Sequence, residues 1–133
     1  MSEDLLSEIR DGVGYVTFDR PEARNAVYPD LLDRAIAVIA RFDADPGIRV
    51  IVLGGSDGAF CAGADVEKFL VTLPRKSSQQ IQDEIYARFM GLARALKLST
   101  KPTIAAVDGP AVGAGCEFEV SCDFRVASPT ALF

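Results

Sequence analysis

Two apolar runs constrain this chain more than anything else in it. IRVIVLGG (48–55) and KPTIAAVDG (101–109) are rich in β-branched and small residues, and each passes through a turn of bare backbone into a helical pattern. Those turns are SDGAFCAGA (56–64) and PAVGAG (110–115), which carry few side chains able to act as acid, base or nucleophile. A continuous apolar run predicts a strand buried on both faces. Strands that alternate with helices predict parallel crossover connections, right-handed by default. The expected fold class is α/β.

The rest of the chain fits that alternation. VGYVTFDR (13–20), bounded by Gly12 and Pro21, alternates apolar and polar residues and predicts a strand. A helix is expected from Pro29, with Asp30 and Asp33 in its first turn and Leu31, Ala35, Val38 and Phe42 at helical spacing. Asp45-Pro46-Gly47 stops it. DVEKFLVTL predicts a short helix led by Asp65. Ser77 and Gln80 form a capping box in front of a longer one, whose stripe is Ile81, Ile85, Phe89, Leu92 and Leu96. AGCEFEVSCD is expected to be a short helix, and FRVAS (124–128) a strand. The reading assigns no element before Val13 and finds neither linker nor repeat.

Composition excludes several classes of function. A formal charge of −5 over 133 residues gives no basic surface for nucleic acid or anionic lipid. No stretch reaches the roughly 18 apolar residues of a membrane helix. The acidic start MSEDLLSEIRDG has neither the positive end nor the apolar stretch of a signal peptide. Three cysteines without a C-x-x-C pair predict reduced thiols and a cytoplasmic protein. There is no histidine, which removes Ser-His-Asp and Cys-His nucleophile systems and most zinc sites; no metal site is expected. Acid–base chemistry falls to carboxylates, Lys or Tyr.

Bare backbone at the end of a strand has two readings. Small residues let helices pack closely on the sheet, or they let a ligand reach backbone N–H groups. A helix start adds unpaired donors and a field that favours negative charge. Two such turns facing one point can supply an oxyanion hole for an ester or thioester carbonyl. Neither turn matches G-x-G-x-x-G or G-x-x-x-x-G-K-[ST], which disfavours a nucleotide phosphate loop. Glu117, in the otherwise apolar GAGCEFEVSCD, is the candidate for proton transfer, and a solvated helix position is its alternative. Glu119, two positions on, is expected to face water.

RPEARNAV (20–27), FCAGADV (60–66) and GPAVGAGCEFEVSCDFRVAS (109–128) together resemble the enoyl-CoA hydratase/isomerase family, the crotonase fold. The resemblance implies a spiral of ββα units that binds acyl-CoA thioesters and stabilises their enolate in an oxyanion hole. By position, the two donor N–H groups fall on Ala64 and Ala114, and Glu117 matches the first of two catalytic glutamates. Arg24, Asn25 and Ala26 match a segment that helps to bind CoA. Ala62, Gly63, Asp65 and Val66, with Gly113, match the strip along the substrate. Ala114 stands where glycine is common, so it needs φ below zero and narrows the pocket by a methyl group.

The resemblance covers the amino-terminal half of a full member, so residues 1–133 are expected to be the amino-terminal part of a crotonase-like domain. The family's second glutamate, and the carboxy-terminal helices that close the pocket and build the trimer, fall beyond Phe133. The implied activity is hydration of an enoyl-CoA with no cofactor, coenzyme A being part of the substrate, in a homo-oligomer (a trimer or dimer of trimers). Isomerisation, decarboxylation, thioester hydrolysis and a catalytically dead acyl-CoA-binding remnant stay open beside it.

Overall fold

The computed structural model describes residues 4–133, apart from the Leu70 side chain. Strands β1 (Leu5–Arg10) and β2 (Val13–Phe18) form an antiparallel hairpin. To it are added β3 (Val50–Gly55), β4 (Thr103–Val107) and β5 (Phe124–Ala127), each parallel to the strand before it. Helix α1 (Pro29–Ala44) joins β2 to β3. Between β3 and β4 run α2 (Val66–Thr72), α3 (Ser78–Ile81) and α4 (Ala87–Leu98), and α5 (Ala114–Ser121) precedes β5.

Period-two alternation explains the packing. Val16 and Phe18 of β2, Ile51 and Leu53 of β3, and Ala105 and Val107 of β4 are buried. They form one cluster with Leu31, Leu32, Ile39 and Phe42 of α1 and Leu92 and Leu96 of α4. Each fully buried Leu or Phe side chain contributes about 1.5–3 kcal/mol. On the opposite face Val50, Val52 and Ile104 are only half-buried and Ala106 is exposed, so β3 and β4 are not covered on both faces as their apolar runs predict. A run of hydrophobic residues reports what a face is made of, not whether anything covers it.

The structure places β1 where the sequence reading assigns nothing; Leu5 is its one buried residue, so no alternation betrays it. The available signal is Asp11-Gly12, which turns with φ of 52° and 79°, as a two-residue hairpin loop requires. The longer helix expected after Ser77 runs without a break over 78–98, as α3, a π-helical stretch over Gln82–Tyr86, and α4. Its capping box is present: the Ser77 hydroxyl accepts from the Gln80 N–H, and the Gln80 side chain accepts from the Ser77 N–H.

One carboxylate ties the end of α1 to the approach of β4. Asp43 Oδ1 accepts from the Ser99 hydroxyl at 2.9 Å, the Thr100 N–H at 2.7 Å and the Thr100 hydroxyl at 2.8 Å. The Thr100 hydroxyl, foremost among these donors, outweighs desolvation and holds the Asp43 carboxyl below its ordinary value of 3.8. With the folded value depressed, the stabilisation is complete above the unfolded value and is lost as pH falls through the folded one. In urea melts, the stability gap between wild type and Asp43→Asn is expected to be largest near neutral pH and to close below about pH 4. A gap that does not vary with pH would contradict this.

Candidate functional site

Beyond the carboxyl ends of β2, β3 and β4 the chain lays three short extended segments side by side. Val27 pairs in parallel with Ala64, and Cys61 with Ala111. The Val27 N–H donates to Gly63 O at 2.8 Å and the Asp65 N–H donates to Val27 O at 2.8 Å. On the other side, the Val112 N–H donates to Cys61 O at 3.1 Å, and the Phe60 and Cys61 N–H groups share Pro110 O. Gly115 packs directly on Cys61: a Cβ there would lie 2.1 Å from the Cys61 carbonyl oxygen.

This ladder leaves two backbone donors over. In a parallel pair, alternate N–H groups point away from the partner strand. Gly63 and Asp65 bond to Val27 on either side of Ala64, and the Ala64 N–H has no partner among the described residues. Ala114 is the first residue of α5, where helical geometry supplies no acceptor, and its N–H is likewise without a partner there. Each of the two residues follows a glycine of positive φ, Gly63 at 97° and Gly113 at 57°. The left-handed turn therefore falls on glycine, and Ala114 keeps the negative φ that alanine needs. A Cβ on Gly63 would sit 3.6 Å from the Ala114 nitrogen, which puts the Ala64 nitrogen within about 7 Å of it.

Both alanines and Gly113 line one cavity of about 370 Å³ together with Glu117. The rest of its wall is Phe69, Leu73, Ile81, Ile85, Tyr86 and Phe89. Phe69, Phe89, Phe118 and Phe18 form a chain of ring contacts, 6.0–6.5 Å between centroids, that anchors this wall to the core. In sequence the Ile81–Ile85–Phe89 stripe was indistinguishable from core; in the fold its first turns face the cavity. Such an arrangement suits a ligand with a carbonyl oxygen at one end and an apolar tail at the other.

The two glutamates of α5 exchange environments relative to expectation. Glu117 is exposed at the cavity rim rather than enclosed by apolar groups. Glu119, expected in water, is buried, with Oε2 2.9 Å from Arg125 Nε and Oε1 3.8 Å from Cys116 Sγ. Two residues along a helix lie about 200° apart, so burial of Glu119 against Arg125 turns Glu117 to the other side of α5.

The other residues singled out in the sequence differ in burial and bonding. Asn25 is fully buried, and its side chain is committed to protein. Oδ1 accepts from the Arg20 N–H at 2.7 Å, while Nδ2 donates to Ser56 O at 2.9 Å and Ala59 O at 2.8 Å. Ala26 is buried beneath Arg20. The Ala62 N–H donates to Arg24 O, leaving the Arg24 side chain exposed. Asp65 caps α2 by accepting from the Lys68 N–H at 3.1 Å, while Val66 is exposed. Burial alone would raise the Asp65 pKa, but the Lys68 N–H and Arg20 outweigh it and hold the carboxyl below its usual range. Burial pushes the Cys61 thiol up to about 11 against a weaker Gly63 N–H, so it stays protonated. Among the described residues no cluster of His, Cys, Asp or Glu is arranged to hold a metal.

Comparison with known proteins identifies the family and the fold. The enoyl-CoA hydratase/isomerase family model matches residues 8–133. A Rhizobium meliloti protein named as a probable enoyl-CoA hydratase is 40% identical over 131 residues, covering 98% of this chain and 48% of its own. The mitochondrial enoyl-CoA hydratase of Pongo abelii is 36% identical over 134 residues, 98% of this chain and 44% of its own. A solved enoyl-CoA hydratase/isomerase from Xanthobacter autotrophicus Py2 superposes with a TM-score of 0.90 at 29% identity, over 100% of this chain and 49% of that one. A crotonase-type protein of Legionella pneumophila gives 0.90 at 33%, over 96% and 49%. The chain spans about half the length of these relatives. It belongs to the enoyl-CoA hydratase/isomerase family and has the crotonase fold.

Proposed function

We propose that this chain binds an α,β-unsaturated acyl-CoA thioester and takes part in adding water across its double bond. One observation carries the reading: two residues whose backbone N–H groups have no partner among the described residues, and one exposed carboxylate, share the wall of a single apolar cavity. The thioester oxygen would accept from Ala64 and Ala114, and the acyl tail would lie against Phe69, Ile85 and Phe89. Glu117 would take a proton from water as its oxygen bonds to the β-carbon. The electron pair of the double bond then passes to the α-carbon and thioester oxygen, as an enolate held by the two donors. Each such donor typically contributes about 2.7–4 kcal/mol to the transition state. Coenzyme A would arrive as part of the substrate, and the exposed Arg24 would meet its phosphates.

The α-carbon must then receive a proton. Glu117 is the one carboxylate that lines the cavity among the described residues. Glu119 is paired with Arg125, Asp123 bonds to Thr103, and Asp108 accepts from Ser128 and Thr130. The second acid is therefore sought outside these residues, and the chain alone is expected to hydrate crotonyl-CoA slowly. Following loss of the enoyl-thioester absorbance, Glu117→Gln is expected to lower the rate by about 10²–10⁴-fold. Crotonyl-CoA affinity, titrated in parallel, should change little. Equal rates in the two proteins would overturn the role of Glu117.

Assembly of three or more chains belongs to the same proposal. Phe124 and Val126 of β5, with Leu132 and Phe133, are each more than 60% exposed, an apolar surface that favours burial against another chain. Light scattering at micromolar concentration is expected to report a trimer or larger species; a stable compact monomer would count against it.

A further inference from the structure

We infer that Arg20 is a positioning residue for the Ala64 donor, an inference that rests on the oxyanion-hole reading above. Arg20 does not line the cavity. Its side chain is only 9% exposed, and it joins the two segments that frame Ala64. Nη1 donates to Ala26 O at 2.6 Å and lies 2.9 Å from Asp65 Oδ2. The guanidinium is stacked 4.9 Å from the Tyr28 ring centre, and Nε faces Asp4 at 3.6 Å and Glu22 at 3.9 Å. One buried cation thus grips residue 26, before Val27, and residue 65, after Ala64. The Val27–Ala64 pairing lies between those two grips.

That placement gives the ion pair work beyond stability. The direction of the Ala64 N–H depends on the peptides to either side of it, and the Val27 ladder fixes both. Asp65 is the first residue past the donor, and its carboxylate also caps α2. Without Arg20, a buried carboxylate would lose its charged partner. It would then take up a proton or turn outward to water, and the second course rotates the Ala64–Asp65 peptide. A misplacement of about 1 Å spoils a donor aimed at one oxygen, while the apolar wall of Phe69, Ile85 and Phe89 is left in place. Asn25 holds the far side of the same turn but touches only loop carbonyls and the Arg20 N–H, so it cannot set this angle.

The test needs no turnover. 2,4-Hexadienoyl-CoA is a conjugated thioester, and its absorption band moves to the red when hydrogen bonds polarise the carbonyl. The band is read at saturating ligand for wild type, Arg20→Gln, Arg20→Lys and Asp65→Asn, with binding and thermal melts alongside. Wild type is expected to shift the band. Arg20→Gln and Asp65→Asn are expected to cut the shift about twofold or more while affinity changes little, and Arg20→Lys to restore part of it. Asp65→Asn keeps a capping acceptor for α2, so it decides the matter if Arg20→Gln fails to fold. A full red shift at saturation in the folded variants, whatever their melting temperatures, would reduce Arg20 to a stabilising ion pair and overturn this inference alone. No shift in wild type would overturn the oxyanion-hole reading and this inference with it.

Discussion

The site depends on a contact between two pieces of backbone. At Gly115 the turn after β4 comes so close to the turn after β3 that a Cβ would sit 2.1 Å from the Cys61 carbonyl oxygen. No side chain fits there, and no flexible neighbour can yield, because the obstruction is backbone. That approach lets Val112 bond to Cys61 and brings the start of α5 beside Gly63. A glycine of positive φ precedes each of Ala64 and Ala114, and both alanines line the cavity. Shape, rather than any reactive side chain, is what the chain invests in these stretches.

The charged groups around the site divide into those that hold it and those that face outward. Arg20 and Asp65 are buried in a chain whose formal charge is −5. Each has a partner besides the other: Arg20 a carbonyl and a ring, Asp65 the N–H of Lys68. The match is incomplete, because Arg20 Nε is buried without a hydrogen bond among the described residues and faces Asp4 and Glu22 only at 3.6 and 3.9 Å. Part of the desolvation cost of the pair is therefore not repaid. Glu117, in contrast, is exposed at the rim. Under the proposed function, the fixed charges would aim the donors and the exposed one would meet water.

Much of this was legible in the sequence where local physics decides the outcome. Asp65 as a cap, the Ser77–Gln80 box, Pro29 at the start of α1 and the small-residue turns all depend on a few neighbouring residues, and all appear in the fold. What could not be read were facts of direction. Glu117 and Glu119 look alike in a segment where apolar residues surround both, and only packing of α5 on β4 decides which is buried. Asn25 and Arg20 sit in a motif that resembles a binding segment, yet their partners, Ser56, Ala59 and Asp65, lie more than thirty positions away. Strand β1 escaped because it is an edge with a single buried residue, although Asp11-Gly12 announced its hairpin.

The claim at the centre of this account is that two backbone nitrogens, brought together by glycine packing, hold one oxygen. The most direct measurement is a crystal structure of the chain with a saturated acyl-CoA such as butyryl-CoA, which can bind but cannot be hydrated. The account predicts a thioester oxygen about 3 Å from both the Ala64 and Ala114 nitrogens, with the acyl chain against Phe69 and Phe89. A thioester oxygen bonded to neither nitrogen, or an acyl chain seated elsewhere on the protein, would contradict it.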